Sequence, residues 1–324
     1  MKKASFAISV SLVMALGVGA PAEAAEPTFA EKAEKAAKAV DPSLRQSEKD
    51  SRRSRSVLDP DQELKEESVT FRANGKVVAV TRAVGAVAPV NGETVVGRSK
   101  QRKAVKRARV GTRKVLIYTT GESGPGLTVA TWSERTGVNY QIASRGPLSR
   151  SELIALVKAL PADDTRPSRK ARRAIKAAPR AVPRSEPARR STSNLFVDGA
   201  GTPTDDFGNE ANLCSGCSYS TGNYVWLWQR ILMADAYLQG SLDCSFGSLT
   251  AAGTKNWQKS LGLTADGIVG AGTRNAADDF LIDIGGTTVR YVGVSQNILF
   301  DRLTSGYAYY YGSKKVTYNT TTLC

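Results

Sequence analysis

Apolar residues repeat along the chain with two different periods. Leu153, Leu156, Val157 and Leu160 fall on one face of a helix that Ser149-Arg150-Ser151-Glu152 opens as a capping box and Pro161 stops. Val225, Trp228, Ile231 and Leu232 form a second helical stripe. Elsewhere the pattern is strand-like. Residues 69–81 carry Asn74-Gly75 between β-prone runs, which predicts a hairpin. Residues 115–119, 127–132 and 138–142 predict three more strands, the last two joined through Arg135-Thr136-Gly137. After residue 283 the chain turns β-rich, with strands expected over 287–292, 297–303, 307–311 and 315–318. The expected fold class is α+β, with a small α+β module over 69–162 and a helical unit with a β-rich extension over 205–324.

The remaining stretches lack a period. Lys2 and Lys3 precede an apolar run over 4–20 and then Pro21-Ala22-Glu23-Ala24-Ala25, the layout of a secretory signal peptide over 1–25. The run is short for a membrane span, and no other stretch approaches that length, so no transmembrane segment is expected in the mature chain. Residues 26–68 are charged; 28–40 have the makings of a short helix, but 49–55 offer almost nothing to bury, so the segment is expected to be largely disordered. The basic stretch 100–114 reads as an exposed loop. Residues 163–204 read as a basic linker: 163–193 hold ten Lys/Arg, three acidic residues and four prolines, which keep such a segment extended.

Charge sharpens this division. The 324 residues carry a formal net charge of +15, yet residues 205–324 hold eight Lys/Arg against ten Asp/Glu. The basic excess therefore precedes a nearly neutral C-terminal unit and calls for an anionic partner. Export makes nucleic acid unexpected and leaves anionic wall polymers, such as teichoic acids, as candidates for the basic segments. All four cysteines, Cys214, Cys217, Cys244 and Cys324, lie in the C-terminal third. An even number in an exported unit reads as two disulfides, with the three possible pairings open. A four-cysteine zinc site or a redox pair at Cys214-Ser-Gly-Cys217 is the rival reading, and the isolation of Cys244 and Cys324 counts against zinc.

Much chemistry is excluded. The chain has no histidine, which removes His-held zinc and Cys-His or Ser-His nucleophiles. There is no Ser-x-x-Lys and no phosphate-cradling P-loop. Two carboxylates suffice for glycoside hydrolysis, but residues 205–324 contain one glutamate, Glu210. No catalytic residue, metal or cofactor is expected.

The most informative feature is a repeat. Asp243-Cys244-Ser245-Phe246-Gly247-Ser248-Leu249-Thr250 and Asp266-Gly267-Ile268-Val269-Gly270-Ala271-Gly272-Thr273 both read Asp-x-x-apolar-Gly-x-x-Thr. In each, the Asp can bind backbone N–H groups of the following turn. Gly247 and Gly270 suit positive φ, Thr250 and Thr273 suit helix N-caps, and Phe246 or Val269 tucks the loop onto the core. Gly262 is a candidate helix C-cap after Trp257-Gln258.

With Gln229 ahead of the first loop and Trp257-Gln258 ahead of the second, this pattern resembles the three-helix peptidoglycan-binding domain family over about 60 residues. Trp228 stands at a family Leu position and Cys244 at the first-loop Gly, which suggests that a disulfide pins that loop. Gly253 and Thr254 replace better helix or core residues, at a cost of about 1 kcal/mol. The resemblance implies peptidoglycan as partner, with contact through loop backbone groups and nearby side chains. Trp226, Tyr224 and Tyr237, which fall off the main apolar stripe, are candidates to stack on a sugar. The strand–Trp132–turn–Tyr140–strand–helix order of the middle module resembles, over about 45 residues, the end of lipoprotein-sorting and sigma-regulator-type periplasmic domains; this implies a binding or sensing module.

The function expected is that of a secreted, non-catalytic, cell-wall-associated bacterial protein. A wall hydrolase or its regulator with carboxylate chemistry, and a protein-interaction module reusing the same fold, are the alternatives.

Overall fold

The computed structural model describes residues 26–55, 61–87, 89–90, 106–120, 126–146, 148–177, 196–197, 199, 206–285, 288–302 and 309–324. The signal peptide expected over 1–25, and 178–195 of the expected linker, lie outside them.

Seven antiparallel strands form the first sheet: β1 (Arg45–Arg55), β2 (Glu63–Ala73), β3 (Lys76–Gly85), β4 (Lys106–Val110), β5 (Arg113–Thr119), β6 (Thr128–Arg135) and β7 (Val138–Arg145), in the order β1-β2-β3-β7-β6-β5-β4. Two meanders thus meet where β3 pairs with β7. The hairpin expected around Asn74-Gly75 is β2–β3, and both turn residues have positive φ, 46° and 76°, as a type I′ turn requires. Helices α1 (Phe29–Val40) and α2 (Arg150–Ala159) cover one face, each opened by a capping box, Thr28/Glu31 and Ser149/Glu152. Beneath them lie Phe71, Val78, Val80, Ile117, Trp132 and Ile142.

Three polar stretches are ordered where the sequence suggested otherwise. Residues 26–55, from a segment expected to be largely disordered, carry α1, where a short helix was read over 28–40, and the unexpected strand β1. Helix α1 buries only alanines, Ala30, Ala33, Ala36 and Ala37, so its apolar signal is weak. Strand β1 has no apolar residue because it is an edge: backbone pairing with β2 holds it, helped by Arg53–Glu63 at 3.2 Å. Of the basic loop expected over 100–114, residues 106–114 form β4 and the start of β5, the opposite edge of the sheet, and 100–105 lie outside the described residues. The expected linker begins inside the fold. Asp163 is buried and accepts from Arg82 Nε at 2.6 Å and the Tyr140 hydroxyl at 2.8 Å. Residues Arg169–Ala177 then form a further helix, α3.

The C-terminal unit consists of α4 (Asn223–Ala234), α5 (Ser248–Ser260) and α6 (Ala271–Asp278), followed by β8 (Leu281–Gly285), β9 (Thr288–Tyr291), β10 (Ile298–Arg302), β11 (Tyr309–Tyr311) and β12 (Lys314–Lys315). Its sheet is an antiparallel meander in the order β12-β11-β10-β9-β8. β8 is an addition to the strands read from the sequence. The disulfides pair Cys214 with Cys217 and Cys244 with Cys324, with Cα–Cα separations of 5.1 and 5.9 Å. The chain end is therefore fastened to the first repeat loop rather than to Cys214 or Cys217, and no cysteine thiol is left to hold zinc.

The two units share one core. The second face of the seven-stranded sheet contributes Val77, Leu116, Tyr118, Leu127, Val129 and Ala143 to the same buried cluster as α4 and β8–β11. This is why β3 and β5 bury almost every position instead of alternating. Polar contacts cross the seam. Arg145 donates to both oxygens of Asp235, at 2.6 and 3.2 Å. Trp257 Nε1, the Tyr291 hydroxyl and the Val294 N–H complete the shell of that carboxylate, at 2.7, 2.7 and 3.0 Å. Burial opposes the Arg145 charge, but Asp235 outweighs it and raises the Arg145 pKa. Farther along the seam, Asn297 Nδ2 donates to Thr70 at 2.8 Å and its backbone N–H to Glu48 at 3.0 Å. Arg290 reaches Ser68 and Thr81, and burial pulls its pKa down to about 10.

Candidate functional site

The repeat builds two loops on one hydrogen-bonding plan. Gln229 lies within the buried part of α4, and Gln258 is the last buried residue of α5. In the first loop, Gln229 Nε2 reaches Asp243 Oδ1 at 2.6 Å, the Ser245 carbonyl at 3.0 Å and Thr250 Oγ1 at 3.1 Å. Its Oε1 accepts from the Cys244 N–H at 3.1 Å. Asp243 Oδ1 also accepts from the Ser245 N–H at 2.9 Å, and the Thr250 hydroxyl donates to the Ser245 carbonyl at 3.3 Å.

The second loop repeats every bond. Gln258 Nε2 lies 2.9 Å from each of Asp266 Oδ1, the Ile268 carbonyl and Thr273 Oγ1. Gly267 N–H donates to Gln258 Oε1 at 2.9 Å, Ile268 N–H to Asp266 at 2.8 Å, and Thr273 to the Ile268 carbonyl at 3.2 Å. These bonds hold both carboxyls below the usual range. The Gln229 amide is the leading cause for Asp243, and the Ile268 N–H for Asp266.

The glycines and threonines exchange the roles expected of them. Gly247 and Gly270 both have φ of −83° and are themselves the N-caps of α5 and α6, without a side-chain cap. Thr250 and Thr273 sit inside the first turn and fasten the loop from within. Positive φ falls one residue after each Asp, at Cys244 (58°) and Gly267 (80°). Cys244 adopts this uncommon backbone for an L-residue while bonded to Cys324. The Gly253 and Thr254 departures are requirements of packing, not weak points. A Cβ on Gly253 would sit 2.8 Å from the Tyr237 carbonyl oxygen. Thr254 accepts from Trp228 Nε1 at 2.8 Å and donates to the Thr250 carbonyl at 2.7 Å. Gly262, with φ of 70°, follows the end of α5, and the next N–H, that of Leu263, returns to the Gln258 carbonyl, as in a Schellman turn.

The aromatic candidates are mostly internal. Trp226 is buried against Tyr311, with ring centroids 4.8 Å apart, and Tyr224 is buried with its hydroxyl on the Ala211 carbonyl. Tyr237 is half-buried. Trp257 is fully buried, meeting Trp228 edge-on at 5.3 Å. Phe246 and Val269 are buried beneath their loops. Besides Asp243 and Asp266, the loops expose Gly247, Ser248, Ala271, Gly272 and two apolar side chains not among the expected contacts, Leu249 at 73% and Ile268 at 39% exposure. The one signal for Leu249 is that it lies off the buried α5 stripe of Thr250, Gly253, Thr254 and Trp257. Among the described residues, no three His, Cys, Asp or Glu side chains come together as a metal site, and no helix is long and apolar enough to cross a membrane.

Three short helices are thus joined by two glutamine-held Asp loops that present small residues at their tips. Residues 221–277 match the family model of the peptidoglycan binding domain, which spans α4, both loops and nearly all of α6. No curated protein and no solved structure matches the chain.

Proposed function

We propose that this chain is a secreted, non-catalytic peptidoglycan-binding protein associated with the cell wall. The observation that carries the reading is the family match over 221–277, on a segment whose two loops repeat the same six hydrogen bonds. The loop tips would contact the ligand through Gly247, Gly270 and their neighbours. Gln229, Asp243, Thr250, Gln258, Asp266, Gly267 and Thr273 hold those tips in shape. The disulfides fit an oxidising compartment.

A non-catalytic role is supported by the carboxylates of the middle module. Glu134 accepts from Arg113 and Trp132, and Glu152 caps α2 and pairs with Lys76. Asp163 faces Arg82, and Asp164 faces Arg135. Where two carboxylates do meet they share a cation, Asp41 and Glu152 at Lys76 and Glu67 and Asp163 at Arg82, an arrangement that favours the ionised forms over the protonated acid that glycoside cleavage needs.

The test is co-sedimentation of the whole mature chain with purified sacculi stripped of anionic polymers, at about 0.5 M salt, where screening leaves a Debye length of about 4 Å. The whole chain is used because Val77, Leu116 and Val129 belong to the core under α4. Sedimentation without clearing of wall-embedded gels is the expected result. A chain left in the supernatant refutes peptidoglycan recognition, and clearing refutes the non-catalytic role.

A further inference from the structure

Helix α3 places five cations in nine residues, Arg169, Lys170, Arg172, Arg173 and Lys176, with Arg166 just ahead. All six are exposed. Among the described residues, none of the six makes an ion pair or a side-chain hydrogen bond. Other arginines of this module behave differently: Arg82, Arg113 and Arg135 each meet a carboxylate.

Local forces work against a helix here. Arg169 and Arg173, and Arg172 and Lys176, repel at i,i+4 spacing. Arg169 and Lys170 occupy the first turn, where the helix dipole disfavours positive charge and no acidic residue offsets it. Nine residues are also too few for a helix to persist alone. Packing supplies what is missing. Ala171 and Ile175 are buried, and Ser168 caps the first turn through its Oγ and the Ala171 N–H, at 3.0 Å. A Cβ on Gly137, in the β6–β7 turn, would lie 2.7 Å from Pro167 and 3.1 Å from Ile175. The fold thus fixes a cationic surface that the described residues leave without a counter-charge.

We propose that α3 is a docking surface for a phosphodiester polymer, the class of anionic chain that accompanies peptidoglycan in many walls. The surface offers charge and nothing else. Residues 163–177 contain no aromatic side chain to stack on a base and no Asn or Gln to read adenine, and an arginine fork that can read guanine pairs equally well with a phosphate. Both larger apolar contacts of the helix, Ala171 and Ile175, face the protein, so no apolar face remains to enter a lipid surface. A polymer whose only recurrent feature is phosphate matches that chemistry. The assignment stands apart from the peptidoglycan reading, which concerns 221–277.

The test measures binding of the whole chain to poly(glycerol phosphate) as salt is varied, beside duplex DNA and phosphatidylglycerol vesicles, for the natural sequence and for R172Q/R173Q/K176Q. Glutamine is nearly as good a helix former as the residues it replaces, so the fold and binding to polymer-free sacculi should be retained. The expected result is a loss of about tenfold or more in affinity for poly(glycerol phosphate) near 50 mM salt, with the salt slope shallower by about 2. R172K/R173K, which keeps every charge, should bind as the natural chain does. Unchanged affinity in the glutamine variant overturns the proposal, as does a natural chain that binds only DNA or only vesicles. Polymer-free sacculi report on 221–277 alone, so failure of one reading is distinguishable from failure of the other.

Discussion

If the glutamine-held loops shape the recognition surface, removing one glutamine should cost stability and binding together. Gln258→Ala is the sharper case. Gln258 is 1% exposed, and its amide serves three acceptors and one backbone donor. Two protons are shared among the acceptors, so about two donor bonds are lost, at about 1 kcal/mol each, with the one to ionised Asp266 worth somewhat more. The Gly267 N–H, on a buried residue, loses its partner, which costs about 1–3 kcal/mol. Destabilisation of about 3–5 kcal/mol follows. For a chain of this size, that is a fall of roughly 6–10 °C in Tm at about 2 °C per kcal/mol. Differential scanning calorimetry reads the shift, and Gln239→Ala, at an exposed position, is the control expected to stay within about 0.5 kcal/mol. Gln229→Ala should cost binding less, because the Cys244–Cys324 bond still holds the first loop. A Q258A melt indistinguishable from Q239A would refute the view that this side chain organises the loop.

Other consequences can be checked alongside. Arg145→Met leaves the fully buried Asp235 carboxylate without its cation, so denaturant midpoints should report a loss of about 3–5 kcal/mol, and R145M/D235L should lose less than the two single changes added together. Replacing Cys244 and Cys324 by Ser opens a loop with a separation of 80 residues and should cost about 4 kcal/mol, against about 2 kcal/mol for Cys214 and Cys217, separated by three; paired thermal melts decide the order. Burial opposes ionisation of Asp163, but hydrogen bonds from Arg82, Thr165 and Tyr140 outweigh it and hold its pKa well below the usual carboxylate range. A depressed folded-state pKa contributes stability above the unfolded value and loses it as pH falls toward the folded one. Urea midpoints should therefore show D163N less stable than the natural chain at neutral pH, with the gap closing below about pH 4.

Elements with a strong local signature were legible in the sequence. The Asn74-Gly75 turn, the Ser149 capping box, the α4 stripe and the repeat all follow from short-range chemistry. The disulfide pairing was not, since Cys244 and Cys324 are brought together only by the course of the terminal sheet. Strand β1 and helix α3 were misread for a shared reason: each is held by one-sided contacts, a backbone ladder for β1 and two buried side chains for α3, so composition recorded only their solvent face. At the site, the sequence pointed to the right loops and to the wrong role for several members. Trp226 looked displaced from the helical stripe because the stripe was drawn for one buried face. Helix α4 is covered on more than one side, and Trp226 meets β11 through Tyr311.

The residue that ties the molecule together had no sequence signal at all. Asp235 sits in the turn after α4 and gathers Arg145 from the first sheet, Trp257 from α5, Tyr291 from β9 and the Val294 N–H. Its partners lie from 22 to 90 positions away, so no spacing rule could announce it. Trp257 immediately precedes Gln258, which shapes the second loop, and Arg145 ends the strand paired with β3. A disturbance of the first sheet at Arg145 therefore has a short physical route to the second loop, through two buried side chains and one backbone step. Whether the middle module senses something or only supports the loops is decided by that route. If R145M weakens sacculus binding under conditions where the variant remains folded, the sheet sets the geometry of the recognition surface. If R145M lowers stability alone, the sheet is a scaffold.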